Sequence, residues 1–430
     1  MPRPHAAYRL LATLGATVVP ALAPLGGDKL RRGIRARRGV ARRMVAWGQQ
    51  HRDPARPLLW LHAPSVGEGL QAEVVLRVLR ERHPDWQVVY THFSPSAESL
   101  AARQPADLID YLPWDTAPRI GRVLDAVRPT AVVFAKLDLW PELACQAAAR
   151  GCGVGIIAAT VSPVSSRLRW PARGLLRAGY AAVTAAGAIG PADATRLATL
   201  GVPPDQIAVL GDPRFDSVLQ AIADTRPDDP ALRFRRGAPV LVAGSTWPRD
   251  EAVLLEAFAS VRRVHPDARL ILAPHEPTSA HLVGIRARAR RAGLADPVLL
   301  DEATPDASLV LVDHVGVLAR LYGSAAMAHV GGGFGRAGLH SVVEPAGWGI
   351  PISVGPHWQA SREAGMLAEA GAVEVLVDRV PARQLAAWWS RMLSERGARE
   401  QAGRAAAAVI DAGRGSAARQ AELVERLMRR

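Results

Sequence analysis

The chain has 430 residues, 49% hydrophobic and 22% charged, a folding composition with room for two domains, each burying its own core. Its net charge of +13 calls for an acidic partner, and with 5% aromatics and no recognisable nucleic-acid module, anionic lipid or a phosphorylated substrate is expected ahead of nucleic acid. Arginine supplies nearly all of that charge, since Lys29 and Lys136 are the only lysines, while Cys145 and Cys152 give neither a disulfide framework nor a zinc pattern.

From Leu10 to Gly27 the chain is uncharged and largely apolar, and Lys29 to Arg43 is then dense in arginine. The apolar stretch is short for a transmembrane helix, which needs about 20 apolar residues, and it contains Pro20 and Pro24. Ala21-Leu22-Ala23 resembles a secretory cleavage site, but the arginine cluster downstream should hold this flank in the cytoplasm. The expectation is an apolar segment seated in the bilayer, with Arg31, Arg32, Arg35, Arg38 and Arg42 on anionic headgroups; a solvated basic helix is the alternative.

After Pro57, short apolar runs alternate with amphipathic stretches. Leu58–Ala63, Gln87–Thr91, Ala131–Ala135 and Val154–Ala159 read as buried parallel strands, continuous in hydrophobics, with Leu70–Arg82 and Ala117–Ala126 as helices between them. A polar stretch, Asp224–Pro230, reads as a linker, and the alternation then resumes with Val240–Gly244, Arg269–Ala273, Pro297–Leu300, Leu309–Val312, Ala326–Val330 and Pro351–Val354. Two doubly wound α/β domains are predicted, spanning 51–222 and 236–412 with a linker at 223–235. A segment at 1–50 precedes them and a basic helix at 413–430 follows. Ligands bind outside the carboxyl ends of such strands, in a cleft expected between the two domains, so the informative residues should lie just after strands.

Five constellations do. In His62-Ala-Pro-Ser65-Val-Gly67-Glu68-Gly69, glycines on both sides of Glu68 permit a tight turn and leave the carboxylate uncrowded; the plainer reading is a first-turn acid that complements the helix dipole. Lys136 ends a buried strand, where an ammonium needs a partner, either Asp138 or an anionic ligand. Gly244-Ser245-Thr246 offers amides and hydroxyls to an anion or simply caps a helix, and His275-Glu276 lies at the end of the next strand.

The fourth, Gly331-Gly332-Gly333-Phe334-Gly335-Arg336-Ala337-Gly338, matches G-x-G-x-x-G after a strand, but the following strand ends without the acid that a dinucleotide ribose needs. A phosphate-cradling loop with Arg336 nearby survives that test. Last, His340 and Glu344 follow the loop; a carboxylate there suits two ribose hydroxyls better than a phosphate, or pairs with an arginine.

With these in place the sequence resembles the 3-deoxy-D-manno-octulosonic acid (Kdo) transferases of lipopolysaccharide synthesis. His-Ala-x-Ser-Val-Gly-Glu at 62–68, Leu-Trp-Pro at 139–141, Gly-Ser-Thr at 244–246, and Gly-Gly-x-Phe with His-x-x-x-Glu-Pro at 331–345 occur in the family's order and spacing. The resemblance implies a GT-B fold: two Rossmann-like domains facing across a cleft, with an N-terminal membrane anchor, an acceptor-binding first domain and a nucleotide-sugar-binding second. It implies inverting transfer of Kdo from CMP-Kdo to a lipid A precursor at the cytoplasmic face of the inner membrane, with neither metal nor other cofactor. Glu68 falls on the family's catalytic base, and Ser65 and Gly67 on the same loop are expected acceptor contacts. Donor contacts are expected from Lys136, Ser245, Thr246, His275, Glu276, Gly332, Gly333, Phe334, Gly335, Arg336, His340 and Glu344. No Asp-x-Asp occurs, consistent with a metal-free reaction. Many members carry Glu-x-Glu where this chain has Lys136-Leu-Asp138, and Pro-Arg-His-Pro where it has Pro274-His-Glu-Pro277, which places it in a variant branch. Another nucleotide-sugar transferase, an epimerase of the same architecture and a lipid-binding scaffold are the alternatives.

Overall fold

The computed structural model describes residues 2–335, 338–377 and 379–429. Among them the strands form two sheets, and every pairing is parallel. The first contains β1 (Leu58–His62), β2 (Gln87–His92), β3 (Leu108–Tyr111), β4 (Ala131–Ala135), β5 (Gly153–Ala159), β6 (Ala185–Ala188) and β7 (Ile207–Val209), in the order β3-β2-β1-β4-β5-β6-β7. The second contains β8 (Val240–Thr246), β9 (Arg269–Pro274), β10 (Val298–Leu299), β11 (Leu309–Leu311), β12 (Met327–Val330), β13 (Ile352–Val354) and β14 (Val373–Val375), in the order β10-β11-β9-β8-β12-β13-β14. The central strands are buried along their whole length because helices cover both faces, which is why their sequences are continuous in Val, Leu, Ile and Ala. Each order has a central reversal, between β1 and β4 in the first sheet and between β8 and β12 in the second, and such a reversal opens a crevice at the carboxyl ends of the two strands.

The chain divides into two compact units, 1–217 with 413–430, and 218–412. This differs from the expected boundaries in three ways. The expected linker at 223–235 lies inside the second unit, because Ala231, Leu232 and Phe234 are buried in a 3-10 turn within the polar stretch. The terminal helix Ser416–Met428 belongs to the first unit, where Ala421, Leu423, Val424 and Leu427 join the core beneath β1 and β4.

The N-terminal segment also belongs to the first unit and is three helices, Ala6–Leu22, Asp28–Ala36 and Val40–His51. Tyr8 donates to Asp115 at 2.6 Å, and Arg9 grips the fully buried Glu142 with two bonds of 2.9 Å, so the first helix is docked on the unit. Its opposite stripe, Leu10, Leu14, Val18 and Leu22, is exposed. Among the described residues no helix is long and apolar enough to cross a membrane. All five arginines expected to meet headgroups are exposed, whereas Arg37 is buried over the Phe93 ring and Arg43 holds Asp110.

Candidate functional site

Glu68 follows β1 and Lys136 follows β4, the two strands on either side of the first sheet's reversal. Lys136 Nζ lies 2.9 Å from Glu68 Oε1, and the Ser65 hydroxyl donates to Glu68 Oε2. Burial pushes the Glu68 carboxyl up, but the Ser65 hydroxyl and the Lys136 ammonium outweigh it and hold the group below the ordinary carboxylate range. The result is an ionised carboxylate, its side chain 16% exposed, in a hollow of about 570 Å³ shared with Lys136, Asp138 and Arg167.

Several sequence expectations change here. Asp138 is not the partner of Lys136: it takes the Arg167 guanidinium at 2.6 Å and faces His62 Nε2 at 3.7 Å, and although burial opposes it these neighbours hold its carboxyl at about 2. His62 Nδ1 sits 3.0 Å from the Thr91 carbonyl oxygen and 3.1 Å from the Thr91 hydroxyl. The glycines beside Glu68 make no tight turn, since both lie in the first turn of the helix Val66–Arg82. A Cβ on Gly69 would stand 2.6 Å from Leu100, so this glycine serves close packing, while Gly67 faces open space.

At the second sheet's reversal, Ser245 and Thr246 end β8 and the glycine loop follows β12. The two segments lie against each other: a Cβ on Gly331 would meet the Ser245 carbonyl oxygen at 2.4 Å. Asp250 clamps them, accepting from the Trp247 amide at 2.8 Å and the Gly332 amide at 3.0 Å. Burial opposes ionisation of Asp250, but His329 and these amides outweigh it and lower its pKa. The Gly332 amide is therefore already taken. The Thr246 hydroxyl is also unavailable, because it is fully buried and bonds Glu251 at 3.4 Å. Phe334, expected at the ligand, is instead buried in the core with Leu254 and Phe258. Ser245 remains open: among the described residues its hydroxyl has no hydrogen-bond partner, and its φ of 53° turns it away from the strand. Gly333 packs on the backbone of Gly355, Gly335 completes the turn through Gly332, and Arg336 lies outside the described residues.

Three rings stack beside this turn, Trp247 on His275 with centroids 5.0 Å apart and His275 on His340 at 4.3 Å. Trp247 Nε1 donates to His340 Nε2 at 2.9 Å, and indole N–H can only donate, so Nε2 is unprotonated and Nδ1 carries the hydrogen. Burial and the neighbouring His275 lower the His340 pKa, consistent with a neutral ring that presents one N–H. Trp247 is the residue that sequence reasoning passed over; its place directly after Gly-Ser-Thr was the available signal. Glu276 is exposed at the β9 end, and Glu344 opens the short helix Val343–Gly347, beside a hollow with Val218, Ile222 and Trp348. Among the described residues no group of three or more His, Cys, Asp or Glu side chains is placed to hold a metal ion.

Two doubly wound seven-stranded sheets, each with polar groups at its reversal, define a GT-B-like α/β protein. The fold matches that of UDP-GlcNAc 2-epimerase from Neisseria meningitidis bound to UDP-GlcNAc, with a TM-score of 0.63 at 12% identity over 87% of this chain and 100% of that one, a likeness of fold alone. Residues 32–217 match the family model described as 3-deoxy-D-manno-octulosonic-acid transferase (kdotransferase). The 3-deoxy-D-manno-octulosonic acid transferase of Haemophilus influenzae is 24% identical over 92% of this chain and 93% of its own length. That of Bordetella pertussis is 27% identical over 81% of this chain and 82% of its own. Over these spans the chain is similar to Kdo transferases, which are glycosyltransferases.

Proposed function

We propose that this protein transfers Kdo from CMP-Kdo to a lipid A precursor in lipopolysaccharide synthesis, with inversion and without a metal. The observation that carries the reading is the Glu68 carboxylate, kept ionised by Ser65 and Lys136 at the first sheet's reversal. A primary hydroxyl of the acceptor attacks the anomeric carbon of the donor, its proton passes to Glu68, and the bond to CMP breaks with the electron pair leaving on the phosphate. General-base assistance of this kind contributes roughly 10²–10⁴-fold. Lys136 exchanges Glu68 for the donor carboxylate, which removes a cation from the base and strengthens it. Ser245 and the His340 Nδ1–H donate to the phosphate as it gains charge, and Glu344 accepts from the ribose hydroxyls.

The same proposal places the protein on the cytoplasmic face of the inner membrane. The exposed stripe Leu10, Leu14, Val18 and Leu22 lies in the bilayer interface, and Arg31, Arg32, Arg35, Arg38 and Arg42 contact anionic headgroups, each worth about 1 kcal/mol.

The test is incubation with CMP-Kdo and a tetraacylated lipid A precursor, read by mass spectrometry of the lipid. A mass gain of one or more Kdo units is expected, reduced at least a hundredfold in rate by Glu68→Gln. Near-normal turnover by folded Glu68→Gln would remove it as the base, and an unmodified lipid with the parent protein would overturn the assignment.

A further inference from the structure

The three N-terminal helices and the helix Ala117–Val127 border a groove of about 560 Å³ in the first unit, within the roughly 300–1,000 Å³ of small-ligand sites. Arg37, Arg38, Arg42, Arg119 and Arg122 line it, and no carboxylate does among the described residues. Of these, Arg37 is consumed by the fold, donating to the Gly33 and Phe93 carbonyls, as is the neighbouring Arg43, which takes Asp110 through two bonds. The other four groove arginines have no ion pair among the described residues, and Arg119 Nη1 is buried without a hydrogen-bond partner. A buried donor left unmatched is costly, and an anion in the groove would satisfy it. The remaining wall is apolar, formed by residues such as Ala16, Ile34, Val45 and Trp114. Cations over an apolar wall fit a phosphate that carries an alkyl chain.

We propose that this groove binds one anionic phospholipid of the bilayer, its phosphate held by the four arginines and the start of one chain lying along Ala16, Ile34 and Val45. The inference rests on the membrane attachment proposed above and turns it from a diffuse surface into a stoichiometric site. Ala16 and Pro20, which line the groove, belong to the same helix as the exposed leucine stripe, so a lipid of the interface is at hand. The groove shares no lining residue with the Glu68–Lys136 hollow, and its volume suits a glycerophosphate head with a length of chain rather than a phosphorylated disaccharide bearing four chains.

Dihexanoyl phosphatidylglycerol, titrated calorimetrically into the full chain below its micelle concentration, should fill one saturable site. Affinity should fall at least tenfold in Arg119→Gln/Arg122→Gln and at least tenfold for dihexanoyl phosphatidylcholine with the unaltered protein. Equal affinity for the two lipids, an unweakened double variant, or no saturable site overturns the groove. One-for-one displacement by the tetraacylated lipid A precursor gives the groove to the acceptor and also overturns it. Sedimentation with phosphatidylglycerol vesicles separates the two readings. An unaltered protein that sediments yet lacks the saturable site loses the groove alone, whereas one that fails to sediment loses the attachment and the groove with it.

Discussion

Lys136 and Ser245 hold φ values of 64° and 53°, left-handed conformations that cost a non-glycine residue roughly 1–2 kcal/mol. Each directly follows or ends a strand at its sheet's reversal, so the strain aims a polar side chain out of the sheet at the carboxyl ends of the strands. Ser245→Gly should therefore raise the melting temperature by a few degrees and raise the KM for CMP-Kdo severalfold, because it relieves the backbone and removes the hydroxyl together. An unchanged KM would leave Ser245 as a turn residue only. Under the base role proposed for Glu68, the pH dependence of kcat/KM reads its ionisation in the free enzyme. A base works when ionised, so the rate is lost as pH falls through a carboxyl pKa held below the ordinary value of about 4.3. Lys136→Met removes the cation while burial stays, so the acid limb should move to higher pH; a limb that does not move would show that the pair at 2.9 Å does not govern the base.

At the scale of elements, the first helix is held by side chains rather than by a broad apolar face, since its leucine stripe points outward. Glu142 is fully buried, and Arg9 supplies its counter-charge while Gln146 adds one bond at 2.9 Å. Arg9→Met leaves that carboxylate buried without its cation, a loss of roughly 3–5 kcal/mol for a fully buried pair and toward the lower end here, because Arg9 is half-exposed. The expected result is a melting temperature lower by several degrees and faster protease cleavage near Leu22; unchanged melting would mean that Glu142 relaxes to other partners. Strand legibility follows the same logic of who covers what. β1, β4, β5, β8 and β9 were readable as aliphatic runs because helices bury them on both faces. β3, β7 and β14 were not: they are three or four residues long near the sheet edges and only partly buried, so they carry too little apolar pattern. β6, Ala185-Ala-Gly-Ala, was missed for another reason: a Cβ on Gly187 would meet Gln420 at 2.1 Å, so the strand is small-residued to admit a helix some 230 positions away. In the candidate site, Glu68, Lys136 and Ser245 were legible from their places after strands. The clamp by Asp250 and the pairing of Arg167 with Asp138 were not, because each depends on segments brought together only by the fold.

For the whole molecule, the chain passes between its two units twice, at Ser217 and again at Ala412. The return carries Ser416–Met428 into the first unit, where Gly153 and Gly155 leave space for Leu427 and Asp216 accepts from the Gly415 and Ala417 amides at 2.7 Å. Gln420 is fully buried and faces the Ala158 amide and the Gly211 carbonyl at 3.3 and 3.2 Å, so even the helix's polar residue is committed to the sheet. Leu423, Val424, Leu427 and Met428 are each nearly or fully buried, and such a side chain contributes about 1.5–3 kcal/mol. Four of them equal most of the roughly 5–15 kcal/mol by which a domain is ordinarily stable. A chain ending at Ala412 would keep every candidate site residue, yet its first unit should fail to fold, giving aggregated protein without transferase activity. Supplying residues 413–430 as a separate peptide during refolding should recover part of the soluble fraction, because the helix contributes packing and no reacting group. Soluble truncated protein with full activity would show that the first sheet can close its own core, and that the second crossing is dispensable.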